Sequence, residues 1–570
     1  MGTCPHNSIL VNKTVRRTKG RGLRRGKGKG AYMGSFNIDR RSFLKGAGLM
    51  GATGALAALA GCGGSDDGGS DAAAGGDTGS EASSYAKTIV IGRANDSDNL
   101  DPVTCIGNIN IFIFNLILDG LLKTSDDGET IEPNLAEDMP TISDDGLTYT
   151  FKVKSGLKFS DGSDVTAEDW QWTFERAMTT EDSNWISTVE NFDHVECPDD
   201  TTVIVTLKSP AASALACLCV FTLGVQSKAY FDKVGADEYK NAIIGTGPYM
   251  VKEWKKGEYL TLTKNPNYRE EGLPLTEEIE FKVVADDNSR KIQLQGGDID
   301  IATDVPFSTM KELESDAEVA PHADPSTFTY WVSLNTQNEY LSNPDVREAL
   351  FLATDPQEVV DMTTYGYGTT IGTIFSATSE YCDKDLEPIT PDIDKAKELL
   401  AGAGYPDGFE IKMLLKGGND FYASIATVLQ SQWSKIGVTL TQDTQEATAY
   451  SSARKALELD TIISGWSDDI QDPSEFMQFV FDYDVTNGYY SGLQQPDDMV
   501  ALNDQANAEQ DVEKRKELYK QIQQGFADQK IFIPLLSVPY QNAIRKDITG
   551  FVQTPMGNYR FEKLAMPASE

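Results

Sequence analysis

The feature that most constrains the fold of this chain is the alternation of strand and helix signals from Lys87 to the end of the sequence. Residues 88–91 form a short apolar run typical of a buried strand, and residues 149–154 alternate polar and apolar side chains with period two. Thr166, followed three positions later by Asp169, is a capping-box signal for the start of a helix. No segment repeats at a fixed period, which argues against solenoids and propellers. The sequence therefore predicts mixed α/β domains.

Two processing motifs precede this predicted folded part. Arg40 and Arg41, followed by an apolar run, have the pattern of a twin-arginine export signal. Residues 59–62 (LAGC) have the pattern of a lipobox, in which Cys62 is acylated and becomes the mature N-terminus. The alternative is a flexible Gly- and Ala-rich start with a chance cysteine. The order and spacing of the motifs favour an exported lipoprotein on the outer face of the cytoplasmic membrane.

The segment before Met33 is basic and rich in glycine. An export signal normally begins only a few residues before its arginines, so Met33 is the predicted true start. A nucleic-acid role for the basic run has little basis, because the run is either untranslated or removed with the leader. The GAGLMG pattern at residues 46–51 matches a dinucleotide-binding fingerprint, but no strand precedes it and it lies inside the leader.

The charge of the chain limits its partners. The net charge is −37 at pH 7, and removal of the basic leader makes the mature chain more acidic still. Such acidity favours solubility and argues against DNA, RNA and anionic lipid surfaces as partners. No stretch beyond the leader is apolar enough to span a bilayer, so the lipid on Cys62 is the predicted membrane anchor. Residues 62–86, rich in Gly, Ser and Asp, are predicted to be a flexible tether.

The sequence offers no catalytic constellation. The predicted mature body holds only two histidines, His194 and His322, and it lacks the HExxH, GxSxG, phosphate-loop and CxxC motifs. Unpaired acids are usually solvated surface residues, so no general acid/base pair can be chosen among them. A protein that is not an enzyme and needs no cofactor or metal is predicted.

Cysteine usage does not indicate a disulfide framework. Beyond Cys62 the number of cysteines is odd, and they are Cys105, Cys197, Cys217, Cys219 and Cys382. Cys217 and Cys219 lie in the apolar stretch ALACLCVF, and they would face the same side if this stretch were a strand. Small buried thiols are favoured over disulfides.

Ordered motifs run along nearly the whole predicted mature chain. They include NLDP at 99–102, SDDGLTYT at 143–150, GLKFSDG at 156–162, TAED at 166–169, GTGPY at 245–249, NPDVREA at 343–349 and GW at 465–466. In this set and order the chain resembles extracellular solute-binding protein family 5, the peptide-binding lipoproteins and periplasmic proteins that serve ATP-binding-cassette (ABC) importers.

The resemblance implies a class II periplasmic-binding-protein fold with two lobes and a hinged ligand cleft. After the leader (1–61) and the tether, lobe I would comprise residues 87–122, 204–327 and 532–570. Residues 123–203 would form an inserted subdomain, and residues 328–531 would form lobe II. Closure of the lobes would bury the ligand almost completely.

The resemblance also implies a ligand site. Peptide-binding members carry an acid three residues after the Gly-Trp pair that binds the α-ammonium of the peptide, and this position is Asp469. A buried carboxylate and a buried ammonium form a charge-assisted hydrogen bond in which each charge compensates the other's desolvation. Asp468 and Asp472 are adjacent and could be aligned equally well, and Asp469 could also be a solvated loop acid.

Further cleft candidates come from the same resemblance. Trp466 offers a flat apolar wall, although a tryptophan beside a glycine is as often a core residue. Arg454, with Lys455 next to it, matches a place where some members carry an arginine that meets the ligand's carboxylate. Tyr489 and Tyr490 could line the lobe II side, with core packing as the alternative.

Together these observations predict a monomeric capture protein that binds short peptides and delivers them to the transmembrane subunits of an ABC permease. The nearest alternative is the same fold with another solute, such as a nickel chelate, an oligosaccharide or an opine-like compound. A surface peptide hydrolase and a signalling or adhesive lipoprotein without cargo are the alternatives from other classes.

Overall fold

The chain carries a folded body for which the computed structural model describes residues 85–181, 183, 185–481 and 497–568. All of these residues belong to the unit Ser80–Glu570.

Several predicted residues lie outside the described part. They are Arg40 and Arg41 of the export signal, Cys62 of the lipobox, and the tyrosines Tyr489 and Tyr490. In the described ranges, no helix has the length and apolar character needed to cross a membrane.

The strands alternate with helices along the chain, as the sequence predicts. In chain order they are β1 (Thr88–Arg93), β2 (Leu122–Thr124), β3 (Ile131–Pro133), β4 (Thr141–Ile142), β5 (Thr148–Lys152), β6 (Phe192–Asp199), β7 (Thr202–Leu207), β8 (Tyr249–Lys255), β9 (Tyr259–Lys264), β10 (Glu278–Val283), β11 (Ile301–Ala302), β12 (Val319–Asp324), β13 (Thr329–Leu334), β14 (Thr369–Thr370), β15 (Glu410–Lys416), β16 (Thr439–Gln445), β17 (Thr461–Trp466), β18 (Phe532–Ser537) and β19 (Tyr540–Arg545).

The helices pack on the faces of these strands. They are α1 (Asn108–Ile117), α2 (Ala167–Thr179), α3 (Ile186–Val189), α4 (Ala214–Cys217), α5 (Lys228–Val234), α6 (Ala236–Tyr239), α7 (Asp287–Gly296), α8 (Phe307–Leu313), α9 (Pro344–Leu352), α10 (Pro356–Thr364), α11 (Ile393–Gly402), α12 (Asp420–Ser434), α13 (Ala447–Lys455), α14 (Pro473–Phe476), α15 (Asp497–Ala508) and α16 (Val512–Gln529). A short 3₁₀ helix spans Phe221–Leu223, and a π-helical turn spans Met477–Phe481.

Two large mixed sheets organise the described residues. The seven-stranded sheet has the order β12-β19-β11-β1-β10-β9-β8, and β1 runs parallel to both β10 and β11. The six-stranded sheet has the order β14-β18-β13-β17-β15-β16, and β15 runs parallel to both β16 and β17. Smaller sheets pair β4-β5-β7-β6 and β2-β3. The prediction of mixed α/β domains is confirmed.

The chain passes between the two large sheets twice. The first passage joins β12 to β13 at residues 325–328, and the second joins β18 to β19 at Val538 and Pro539. Because β18 pairs with β13 and β14 in the six-stranded sheet, we propose that the return to lobe I falls at Val538 rather than at residue 532. Because β7 lies wholly in the four-stranded sheet, we propose that the inserted subdomain ends after Leu207 rather than at residue 203.

Helix α2 illustrates how local sequence sets local structure. Its N-cap Thr166 accepts a hydrogen bond from the backbone N–H of Asp169, and the Asp169 side chain accepts one from the backbone N–H of Thr166. This is the predicted capping box, which satisfies two backbone donors that a helix start otherwise leaves unpaired. The helix then buries Trp170 and Phe174 in the core shared with the seven-stranded and four-stranded sheets.

The apolar stretch around Cys217 and Cys219 is a helix and turn, not a strand, so the two thiols do not share one face of a sheet. Residues 214–217 form helix α4, and Cys219 lies in the turn that follows it. A short apolar run fits a buried strand or a buried helix equally well, and its alanines favour the helix. The five cysteines of the described part are all free. Burial raises the pKa of Cys217 to about 12, so its thiol stays protonated and unreactive at neutral pH.

Candidate functional site

A cavity of about 990 Å³ is lined by residues of both large sheets. Phe281 of β10 and Asn542 of β19 come from the seven-stranded sheet, and Tyr330 of β13 comes from the six-stranded sheet. The loop 417–419 before helix α12 also contributes to the lining. A volume of this size accommodates a small organic molecule or a short peptide.

Ten aromatic rings contribute to the lining of this cavity, alongside polar and charged side chains. The rings are those of Phe112, Phe281, Phe307, Phe328, Tyr330, Tyr365, Phe421, Tyr422, Tyr540 and Tyr559. Phe328 stacks on Tyr330 with centroids 6.0 Å apart, and Tyr330 meets Phe421 edge-on at 5.3 Å. Rings packed against one another in this way give the cavity a stiff apolar wall.

The arginines closest to this wall have their charges compensated. Arg93 donates to Asp96 at 3.0 Å, and its guanidinium lies 5.1 Å from the centre of the Phe281 ring. Arg290 donates to Asp287 at 2.7 Å. Both arginines are buried and paired, so neither is a free anion site, and of the two only Arg93 lines the cavity in the described part of the chain.

The acidic loop that the sequence singles out begins at the end of β17. Gly465 must be glycine there, because a Cβ at this position would lie 2.6 Å from the ring of Tyr330 on the neighbouring strand β13. The close approach packs Tyr330 against the backbone of β17. It also fixes the end of β17 at Trp466, after which residues 467–472 leave the sheet.

Asp468 is held inside this loop by neutral partners. Its carboxylate accepts a hydrogen bond from the Trp466 indole N–H at 2.9 Å, and its backbone N–H donates to the Thr327 hydroxyl at 2.8 Å. Burial, together with the charges of Asp469 and Asp472, raises the pKa of Asp468 to about 7. Asp468 therefore binds a proton at a much higher pH than a solvent-exposed aspartate does.

Asp469 has a fixed backbone and an open carboxylate. Its backbone N–H donates to Glu475 Oε2 at 2.8 Å, and that of Ile470 donates to the same oxygen at 3.1 Å. Within the described residues, the Asp469 carboxylate forms no ion pair and accepts no hydrogen bond. Burial raises the pKa of Asp469 to about 7, and burial likewise raises the pKa of Glu475.

Asp472 has a structural role. It caps helix α14 and receives two hydrogen bonds from Arg515, at 2.6 Å and 2.8 Å. The Arg515 guanidinium is fully buried and lies over the rings of Tyr381 and Tyr519. An ion pair that is already satisfied in this way is not available to a ligand.

The acidic loop borders the large cavity without lining it. Asn108, which lines the cavity, donates to the Ser467 hydroxyl at 3.4 Å. Tyr540 lines the cavity as well, and burial followed by the negative charge of Asp469 raises its pKa. Among the described residues, Asp469 itself lines a smaller cavity of about 40 Å³, together with Arg560 and other polar residues.

The other predicted site residues have packing contacts. Trp466 stacks on Phe479 with centroids 5.4 Å apart and packs against the core that contains Trp331. Arg454 is buried on helix α13, with its guanidinium 5.9 Å from the Tyr450 ring centre. Neither side chain lines the large cavity in the described part of the chain. Ligand contacts for Trp466 and Arg454 stay predictions, and Tyr489 lies outside the described residues.

The structure adds residues that sequence analysis did not single out. Glu475 holds the backbone of Asp469, Arg515 neutralises Asp472, and Asp304 exposes its carboxylate to the large cavity. Only Glu475 carried a sequence signal, because it lies six residues after Asp469 in the first turn of a helix that begins with proline. His194 and His322 pair with Asp193 and Asp324, away from the cavity.

Comparison with protein families identifies two matches. Residues 130–488 match the middle part of the bacterial extracellular solute-binding proteins, family 5. Residues 37–57 match the twin-arginine translocation signal, which confirms the export signal predicted around Arg40 and Arg41.

Individual relatives cover most of the chain. A glutathione-binding protein GsiB of Escherichia coli O1:K1 is 28% identical over 496 residues, which cover 84% of this chain and 94% of the relative. The periplasmic binding protein DppA of Helicobacter pylori, solved with the peptide STSA, has a TM-score of 0.73 at 25% identity and covers 85% of this chain and 99% of that one. The oligopeptide-binding protein AppA of Bacillus subtilis, solved with a nonapeptide, has a TM-score of 0.72 at 25% identity. The match covers 85% of this chain and 100% of AppA.

Proposed function

The chain belongs to the bacterial extracellular solute-binding proteins, family 5, and has their two-lobed fold, and from this premise we propose that it captures short peptides by their α-ammonium group. It acts outside the cytoplasm as the substrate-binding protein of an ABC importer. In this proposal it is anchored by a lipid on Cys62 and delivers each peptide intact to the transmembrane subunits of the permease.

The observation that carries the peptide proposal is the open carboxylate of Asp469. Asp468, Asp469 and Glu475 all have a raised pKa because of burial, and none of them pairs with a lysine or arginine in the described part of the chain. An ammonium group beside Asp469 would supply the missing positive charge, and the carboxylate would in turn compensate the cost of removing the ammonium from water. The neighbouring cavity of about 40 Å³ suits a group of that size, and the large cavity suits the rest of a peptide.

Glutathione is a second candidate, favoured by the similarity to GsiB. Glutathione carries an α-ammonium on its glutamyl residue, so the same carboxylate of Asp469 would bind it. It differs from an ordinary peptide in its γ-linkage and its second free carboxylate. A direct comparison of glutathione with alanine tripeptides would separate the two candidates.

The lipid anchor is supported by the position of the export signal. The twin-arginine match ends at residue 57, and the LAGC sequence begins two positions later, at Leu59, and ends at Cys62. A signal peptide that is cleaved directly before this cysteine would leave a thiol at the mature N-terminus for acylation. The acidic tether after Cys62 would then hold the folded body away from the membrane.

Binding of free and blocked peptides tests the proposed function. Purified mature protein is titrated by calorimetry with Ala-Ala-Ala, N-acetyl-Ala-Ala-Ala and glutathione, and native mass spectrometry identifies any solute that co-purifies. We expect Ala-Ala-Ala to bind and its acetylated form to bind about 30-fold or more weakly, the equivalent of about 2 kcal/mol. Equal affinities for the two peptides would refute the proposal. Cleaved rather than intact peptide after incubation would favour the hydrolase alternative.

A further inference from the structure

Asp304 lies in the wall of the large cavity and has a left-handed backbone conformation. It follows β11 and precedes helix α8, and its side chain is exposed to the cavity. Its backbone is in the left-handed region, with φ 53°, which aspartate and asparagine tolerate better than most residues. Its carbonyl oxygen accepts a hydrogen bond from Arg290 at 3.0 Å, which holds the backbone in this conformation.

The carboxylate of Asp304 has no cationic partner at ion-pair distance in the described ranges. The two nearest arginines, Arg93 and Arg290, pair instead with Asp96 and Asp287. Thr303 next to it gives the carboxylate one local hydrogen bond. The enclosed position raises the pKa of Asp304, and the two arginines oppose this rise from a distance.

The remaining charges in the lining do not cancel Asp304. Lys416 and Asp420, from the side of the six-stranded sheet, contribute one charge of each sign. Tyr330 and Tyr559 line the same cavity as Asp304, and the negative charge of Asp304 adds to burial in raising the pKa of both hydroxyls. A carboxylate next to aromatic rings attracts a cation in two ways, by ion pairing and by the cation–π interaction.

We propose that Asp304 is a specificity residue that selects ligands with a second positive charge, such as the amine of a lysine side chain. The proposal rests on the proposed function, because the first positive charge is the α-ammonium at Asp469. A basic group in the cavity would pair with Asp304, whereas a neutral side chain of the same length would leave the carboxylate desolvated and unpaired.

Tripeptides with matched side chains test this proposal. Ala-based tripeptides with lysine at position one, two or three are each compared with the norleucine peptide, which has the same chain length without the amine. We expect lysine to be preferred about tenfold to hundredfold in at least one position, and Asp304→Asn to abolish that preference while norleucine peptides bind as before. Asparagine fits the left-handed backbone, and unchanged norleucine affinity reports that the cavity is intact.

Asp298→Asn is the matched control, since it removes one exposed acid, six residues before Asp304 in the sequence, that does not line the cavity. The control should keep the lysine preference. If the norleucine peptides bound and lysine were not preferred at any position, the role of Asp304 would be refuted and the proposed function would stand. The same conclusion would follow if the lysine preference survived Asp304→Asn or disappeared in Asp298→Asn. If none of the tripeptides bound, the proposed function would fail and this inference with it.

Discussion

Glu475 holds the backbone of Asp469, with its Oε2 atom accepting the Asp469 N–H at 2.8 Å and the Ile470 N–H at 3.1 Å. Glu475 is only 2% exposed, so it acts inside the protein. Glu475 therefore helps to fix the position of the Asp469 carboxylate. Because the two side chains lie within electrostatic reach, the charge of Asp469 also helps to raise the pKa of Glu475, after burial as the larger cause.

Replacement of Glu475 separates its role as an acceptor from its charge. Glu475→Ala would leave two buried backbone N–H groups without a partner, and we expect the free energy of unfolding to fall by about 2–4 kcal/mol. Glu475→Gln keeps an acceptor oxygen and removes the charge, so a change of less than about 1 kcal/mol is expected. Urea denaturation monitored by tryptophan fluorescence measures both. If both variants lost the same free energy of unfolding, the stabilising effect of Glu475 would come from its charge and not from its hydrogen bonds.

Asp472 should behave as a stability residue. Asp472→Asn would leave the buried Arg515 guanidinium uncompensated, and we expect a loss of about 3–5 kcal/mol in the free energy of unfolding. Asp469→Asn has no ion pair to break, so it should leave the free energy of unfolding nearly unchanged or raise it. Thermal and urea denaturation of the two variants side by side provide the measurement. A stable Asp472→Asn that cannot bind peptide would contradict the structural assignment.

Local patterns in the sequence predicted the structure correctly where the interacting residues lie close together in the chain. The capping box of Thr166 and Asp169 spans four residues, and the structure contains it as predicted. The strand at 149–154 is present as β5, because alternation with period two requires only that one face be buried. The motif-based resemblance found the family correctly.

Long-range pairing could not be predicted from the sequence. Arg515 meets Asp472 across 43 residues, and nothing in either local sequence indicates this partner. The family resemblance predicted a return to lobe I at residue 532, but residues 532–537 form β18 of the six-stranded sheet, and an apolar run does not reveal which of two sheets it joins. The same limit applies to the acids of the loop, since Asp468, Asp469 and Asp472 differ only in what surrounds them.

Processing of the leader gives a cellular prediction. Cys62→Ala removes the thiol that would be acylated, so we expect the protein to leave the membrane fraction and to lose the mass of its lipid. Replacement of both Arg40 and Arg41 by lysine should block export and leave the precursor inside the cell. Detergent phase partitioning and mass spectrometry of the mature N-terminus measure these outcomes. A Cys62→Ala protein that still partitions into detergent would refute the lipid anchor.

Peptide affinity should depend on pH with a defined sign. The pKa of Asp469 is raised to about 7 in the protein without ligand, and an ammonium group binds only the ionised carboxylate. Affinity for a free peptide should therefore fall by about tenfold per pH unit as the pH drops below about 7. It should also fall above about pH 8, where the α-amino group of the peptide loses its proton. Calorimetry between pH 5 and 9 tests this, and an N-acetylated peptide should lack the fall above pH 8.

A double-mutant cycle decides whether Asp469 is the residue that meets the ammonium. Asp469→Asn keeps the shape of the side chain but removes its charge, and we expect it to cost about 2–5 kcal/mol of binding free energy for a free peptide. Acetylation of the peptide should cost a similar amount with the unmodified protein. Acetylation on top of Asp469→Asn should cost little more, because both changes delete the same interaction.

Asp468→Asn is the matched control for this cycle, because Asp468 lies next to Asp469 and its carboxylate is already bonded to the Trp466 indole. The control should bind free peptide nearly as well as the unmodified protein and should still discriminate against the acetylated form. If Asp468→Asn lost binding while Asp469→Asn retained it, the ammonium would have to be assigned to Asp468. Additive costs of acetylation and Asp469→Asn would mean that the two changes act on separate interactions, since only a shared interaction makes the second loss disappear.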